Sequence, residues 1–292
     1  AAPPELFTFS FRIMAFRNII LFFYLALLPI LYSFSEIATD HYYMRLQPQL
    51  TGTLPPQVSE SSGLALADTP GTFWTHNDAG GGPDLYKIDT KGNLLQTLRV
   101  PKADNVDWED LAQDSSGNLY IGDVGNNHCR RQNLCIYKFN PLTAEEPEQI
   151  RYSYPDQPDY KLSEDQFNFD CEAMFWHENH IYLISKDRGK GQTAKLYRLP
   201  DQPGEFTAEL VDSCKLNTMI TGADISPDGK KLALLSNTAV YLVNLNQTGC
   251  YFGDKRKEIV LGASGKTEAV VFADNQTIYF TNEQGNLYLI KL

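Results

Sequence analysis

A unit that recurs five times constrains what this chain can fold into. "SGLALA" at Ser62, "EDLAQD" at Glu109, "EAMFWH" at Glu172, "GADISP" at Gly222 and "EAVVFA" at Glu268 open stretches of one plan, spaced 47, 63, 50 and 46 residues apart. A second apolar run follows in each: "FWTHND", "LYIGDV", "IYLISKD", "LALLSN" and "IYFTNE". A third carries a tyrosine at a fixed place, in "DLYKID", "CIYKFN", "KLYRLP", "AVYLVN" and "NLYLIK", and four of the five units continue into a more polar fourth run. Short strands at even spacing, with aromatic positions repeated per unit and no amphipathic helical stretch, specify an all-β β-propeller in which each unit is one blade.

The expected architecture is five blades of four antiparallel strands. The fifth unit ends after three strands, whereas "YMRLQPQLTGTLP" (Tyr43 to Pro55) is strand-like and has no blade of its own. It is expected to supply the last blade's outer strand and so close the ring, covering an edge that would otherwise be open. Six blades is the alternative count, if "YSYPDQPDYKLSEDQFNF" in the long second spacing carries further strands.

The formal charge of −11 gives no basic footprint for nucleic acid and disfavours anionic membranes, while metals and cationic ligands stay allowed. Arg17 precedes "NIILFFYLALLPILY" (Asn18 to Tyr32), which is short for a membrane span, and the small-x-small "SFS" follows. Residues 14–35 therefore read as a secretory signal, with an uncleaved N-terminal anchor as the alternative. Residues 1–13 are taken as upstream of a start at Met14, and residues 36–292 as a single propeller domain, secreted or periplasmic and monomeric. Export permits disulfides. Cys129 and Cys135 flank a short loop and are expected to be joined, Cys214 and Cys250 are placed to join neighbouring outer strands, and Cys171 in "FDCEAMFW" reads as a buried small hydrophobe.

The innermost strand of each blade lines the central channel, so its first residues face the funnel. Aligned there stand Ser62, Glu109, Glu172, Gly222 and Glu268, and two residues earlier Glu60, Asp107, Asp170, Ile220 and Lys266. Second strands end in Asn77, Asp123, Ser185, Ser236 and Asn282, followed by Asp78, Val124, Lys186, Asn237 and Glu283. Oxygen donors converging from several blades suit Ca²⁺, with Glu109, Glu172, Glu268 and Asp123 as metal ligands. Carboxylates sharing a site must find a cation, a proton or a basic partner. Lys186, Lys266, Arg188 and Arg130 are the basic residues at hand. Asn77, Asp78, Trp108, Asn126, Lys186 and Asn282 are the candidate ligand-binding residues, and Trp74, Trp108 and Trp176 offer stacking surface. The candidate catalytic groups are Asp123 and Glu172 as general bases and His76, in "THND" beside Asn77 and Asp78. There is no G-x-S-x-G, and "GASGKT" lacks the first glycine of a phosphate loop because Val260 stands there. "SSGN", "PDGK" and "DNQT" are ordinary hairpin turns.

The set "SESSGLA", "WTHNDAGG", "VDWEDLAQD", "LYIGDVGNNHCRR", "FNFDCEAMFW", "ITGADISPDGKKLALLS" and "TEAVVF" resembles a family of exported bacterial β-propeller proteins. More distantly it is similar to the calcium-dependent lactonase and phosphotriesterase propellers of the SMP-30/gluconolactonase group and to NHL-type propellers. That resemblance implies a Ca²⁺ ion in the channel held by a Glu, an Asn and an Asp from different blades. Glu109 or Glu172, with Asn77, Asn126 or Asn282, and Asp123 or Asp187, match those places. Three functions are expected to compete: binding of a small molecule, glycan or partner protein at the funnel through Ca²⁺, a metal-dependent lactonase or esterase, and a scaffold without a small-molecule site.

Overall fold

The structure, a computed structural model, describes residues 43–44, 46–216, 218–245, 251–253, 256–262 and 264–292. The expected signal or anchor over 14–35, the upstream stretch 1–13 and Cys250 lie outside the described residues. Two strands precede the repeats, β1 (Tyr43–Met44) and β2 (Gln49–Thr53). Blade 1 is β3 (Ser61–Leu66), β4 (Thr72–Asn77), β5 (Asp84–Asp89) and β6 (Leu94–Arg99). Blade 2 is β7 (Trp108–Gln113), β8 (Leu119–Asp123), β9 (Cys135–Phe139) and β10 (Glu148–Ser153). Blade 3 is β11 (Asp170–His177), β12 (His180–Lys186), β13 (Thr193–Pro200) and, beyond the short β14 (Gly204–Thr207), β15 (Glu209–Lys215). Blade 4 is β16 (Gly222–Ile225), β17 (Lys231–Leu235), β18 (Ala239–Asn244) and β19 (Arg256–Val260). Blade 5 is β20 (Thr267–Asp274), β21 (Thr277–Asn282) and β22 (Asn286–Lys291), completed by β2.

Five apolar clusters show how the ring closes, one between each pair of neighbouring blades. The last joins Leu64, Phe73 and Ile88 of blade 1 to Ala269, Val271 and Leu287 of blade 5. Inner strands are covered on both faces, which is why β3, β7 and β8 are buried almost throughout, whereas the outer strand β6 is largely exposed. Polar side chains lace the channel inside this apolar ring. Asp110 of β7 is fully buried, and its Oδ2 accepts the amide of Met174 in blade 3 at 2.7 Å and that of Ala223 in blade 4 at 3.4 Å. Asp224 of β16 accepts the amide of Phe272 in blade 5 at 2.7 Å, and Gln113 donates to the Leu66 carbonyl in blade 1 at 3.0 Å.

The N-terminal segment spans two blades, where one was expected. Only Gln49–Thr53 pairs antiparallel with β22, and Tyr43–Met44 lies parallel to β19 of blade 4. The long second spacing holds no sixth blade. Between β10 and β11 the described chain makes a single 3-10 turn, Glu164–Gln166, and buries Phe167 and Phe169 in the core between blades 2 and 3. From blade 3, β14 reaches back to pair parallel with β10, so blade 2 gains a fifth strand and is tied to its neighbour.

The expected Cys129–Cys135 bridge is absent, and both are free thiols. Cys129 packs in the core between blades 2 and 3, whereas Cys135 faces the core between blades 1 and 2. The two side chains thus lie on opposite faces of one blade, because the strand that carries Cys135 turns it away from the loop that carries Cys129. Cys171 is buried as expected, with its Sγ 3.5 Å from the Ala173 carbonyl.

Candidate functional site: an acidic cluster at the funnel

Four of the five inner strands are irregular where they meet the funnel. Pairing with the second strand shifts register between Ser61 and Gly63, Trp108 and Leu111, Cys171 and Ala173, and Thr267 and Val270. The skipped residues include Ser62, Glu109, Glu172 and Glu268, the aligned positions of the repeat. A bulge re-aims a side chain out of the regular alternation of a strand, which brings these residues to the channel. Blade 4 has no such shift in its pairing, and its aligned residue is Gly222, where a Cβ would stand 2.9 Å from the backbone oxygen of Glu268.

Two overlapping carboxylate groups result. Asp78, Asp107 and Glu109 each offer an oxygen within 4.8 Å of the others, and so do Glu109, Asp170 and Glu172. Gly125 makes the first group possible, since a Cβ there would lie 2.3 Å from Glu109 Oε1 and 2.4 Å from Asp107 Oδ2.

The second group is compensated by basic side chains. Arg188 bonds both Asp170 and Glu172, Lys186 Nζ donates to Glu172 Oε2 at 2.5 Å, and the Asn126 amide donates to Asp170 Oδ1 at 2.6 Å. Among the described residues, the one hydrogen bond to the Asp78 carboxylate comes from the neighbouring Ala79 amide. Glu109 is 4 % exposed, and among the described residues no donor and no basic side chain bonds its carboxylate. Burial pushes the Glu109 carboxyl well above the usual range, and Glu172 and Asp78 add to the shift. Burial, with Asp78 and Asp170, raises Asp107 to about 6. Glu172 sits at about 7, because burial and Asp170 outweigh its two cationic partners.

Glu268 lines a cleft of about 280 Å³ with Ser59, Glu60, Ser61, Ser62, Asp78 and Glu283, beside the cluster but outside both carboxylate groups. Its carboxyl is raised to about 7 by burial and by Glu172. Lys266, a neighbour in sequence, pairs with Glu283 instead.

Several sequence candidates serve other purposes. Asp123 is not brought into the cluster as a ligand, because its Oδ1 accepts from Arg131 Nη2 and from the Asp107 amide, both at 2.9 Å. His76 is fully buried, with Nδ1 2.9 Å from the Asn77 carbonyl and its ring edge-on to Trp108. Burial lowers it to about 4, so it is neutral and shielded from the funnel. Trp108 has no exposed surface for stacking, and its indole donates to the Asp104 carbonyl at 2.9 Å.

The carboxamides brace loops. Asn77 holds the Glu60 amide and the Gln57 carbonyl, Asn126 holds the Arg130 and Arg131 amides and the Phe169 carbonyl, and Asn282 holds the Asn286 amide and the Ser264 carbonyl. Asp187 does the same for the amides of Lys190, Gln192 and Thr193.

Asp107 and Asp170 were not singled out as ligands in the sequence, although they stand two residues before Glu109 and Glu172. Residues two apart on a strand share a face, and that rule was the available signal.

The fold and this funnel define a five-bladed β-propeller with an acidic channel mouth. The chain matches no protein-family model and no curated protein. Among solved structures it is similar to virginiamycin B lyase from Staphylococcus aureus, at 15% identity over 82% of this chain and 69% of that one, with a TM-score of 0.42. It is also similar to a gluconolactonase from Xanthomonas campestris, at 13% identity over 84% and 94% with a TM-score of 0.49. A third likeness is to hydrazine synthase of Kuenenia stuttgartiensis, at 14% identity over 81% and 57% with a TM-score of 0.41. At these identities and TM-scores the three likenesses carry no statement about what this chain does.

Proposed function

We propose that the funnel holds a Ca²⁺ ion between Asp78, Asp107 and Glu109 and uses it to bind an oxygen-bearing ligand over the channel. The observation that carries this reading is Glu109, a carboxyl buried among like charges that no donor or basic side chain among the described residues bonds directly. A buried charge without an ion-pair partner is costly, and a cation is the compensation that Asp170 and Glu172 already have in Arg188 and Lys186. The donors are all oxygen, as hard cations prefer. Ligands on opposite sides of a Ca²⁺ at about 2.4 Å stand about 4.8 Å apart, and the oxygens of this group lie within that distance of one another. Secretion, if residues 14–35 act as a signal, would place the site in a calcium-rich medium.

A second reading is a metal-dependent lactonase or esterase, and one observation favours it. Glu268 shares a cleft with Asp78, and its carboxyl near 7 is poised to take a proton at neutral pH. In that reading Asp78, Asp107 and Glu109 would hold the cation, which would supply Lewis acidity toward a ligand carbonyl, and Glu268, in place of Asp123 or His76, would serve as the base.

The test is calorimetric titration of metal-free protein with Ca²⁺, followed by thermal melts. Occupancy at about 100 times Kd stabilises a fold by about 2.7 kcal/mol, so a rise of several degrees is expected. If no divalent ion gives heat or a shift, the site is lost as a reading. A screen of lactones and aryl esters, with and without chelator, then separates binding from hydrolysis: chelator-sensitive turnover abolished by Glu268→Gln with the Ca²⁺ shift retained supports the enzyme.

A further inference from the structure

The inner strands end at the opposite mouth of the channel in a different chemical setting. All five contribute to a pocket of about 280 Å³ walled by Leu64, Leu111, Trp176, Val271 and Phe272. That volume suits a small organic molecule. The Trp176 indole N–H is turned to Asp201 at 2.8 Å, which leaves the ring as apolar wall.

Three ionisable side chains line this pocket: Asp114, His177 and Asp224. Asp114 is fully engaged in its own turn, accepting from the Ser116 and Asn118 amides, the Asn118 side chain and the Tyr120 hydroxyl. His177 is held neutral by burial, so it does not oppose a cation. Asp224 accepts the Phe272 amide, but among the described residues no lysine or arginine stands in the lining to balance it. The nearest lysines in sequence are directed elsewhere, Lys230 toward Asp228 and Lys231 Nζ to the Asn275 carbonyl. Burial accordingly raises the Asp224 carboxyl to about 7.

We propose that this lower pocket is a second binding site, for a small organic ammonium whose apolar body fills the cavity between Trp176 and Phe272 and whose charge meets Asp224. The ligand class follows from charge complementarity: a chamber with apolar walls whose lining, among the described residues, holds two carboxylates and no lysine or arginine favours a cation with an apolar body over a neutral or anionic molecule of the same shape. The site stands on residues separate from the Asp78, Asp107 and Glu109 group, so it holds whether or not the upper funnel takes a metal.

The experiment titrates the full protein with 2-phenylethylammonium, its neutral isostere 2-phenylethanol and the anion 3-phenylpropionate, followed by calorimetry and tryptophan fluorescence. Saturable one-site binding of the ammonium is expected, at least about tenfold tighter than that of the alcohol or the anion. Asp224→Asn, which keeps an acceptor for the Phe272 amide, should remove that preference, and Glu109→Gln should leave it intact. If the Asp224 variant does not fold, Trp176→Phe locates the site, since it should retain binding but lose the ammonium-induced fluorescence change. Equal affinity for ammonium and alcohol, no saturable binding, a fluorescence change that persists in Trp176→Phe, or a preference that vanishes with Glu109 rather than Asp224 would overturn the proposal.

Discussion

Glu109 carries a liability that is measurable without knowing any ligand. In the unfolded chain Glu172 and Glu268 ionise near the ordinary 4.5, whereas in the fold they hold their protons to about 7, and Glu109 is also raised well above its ordinary value. Between those values the native state binds more protons than the unfolded one, so stability falls as pH rises. The metal-free protein should therefore melt at a lower temperature at about pH 8 than at about pH 5, and saturating Ca²⁺ should flatten that slope; a melting temperature that rises over this range would contradict the raised carboxyls. Compared at about pH 8, Glu109→Gln removes a buried carboxyl whose cost grows as pH rises, while keeping the shape. It should melt above the original protein in chelator and below it in calcium, so the order of the two proteins inverts. A merely structural glutamate would lower the melting temperature under both conditions.

At the scale of the strand, the repeat was legible and its consequences at the funnel were only partly so. The tyrosine of every third strand and the apolar second strands located the blades, because period and aromatic placement are local properties. The meeting of Glu109 and Glu172 followed from their alignment, whereas Glu268, aligned with them, stands beside the cluster and outside both carboxylate groups. Which of them would be neutralised was not legible, since Lys186 and Arg188 both settle on Glu172, Lys266 turns to Glu283, and Arg131 claims Asp123. Those choices depend on loop geometry and on the bulges, which no periodicity announces. The disulfide expectation failed for a related reason: closeness in sequence does not say which face of a blade a side chain takes. Strand-to-strand lacing by Asp110 was equally hidden. Its carboxylate faces three backbone amides, of Leu111, Met174 and Ala223. Asp110→Asn sets an amide donor against that group of donors, and a loss of about 2–4 kcal/mol in urea unfolding is expected, with the fold retained.

For the molecule as a whole, closure depends on a short segment. β2 completes blade 5, Thr51 Oγ1 donates to the Leu287 carbonyl at 3.0 Å, and β1 lies on blade 4. Deleting residues 43–53 should expose the edges of β22 and β19 and yield a protein that aggregates on expression or unfolds at much lower denaturant. A truncated protein with an unchanged urea midpoint would show that the five interblade cores close the ring unaided. The same pairing also sets a clock. Thr51 leaves the ribosome 236 residues before the Leu287 it will bond, and at roughly 5–20 residues per second the clasp waits about ten to fifty seconds for its mate. Through that interval blade 5 does not yet exist and the early segment is an unpaired β-strand. A chaperone, or passage of the chain through a membrane pore while still unfolded, would have this window in which to act.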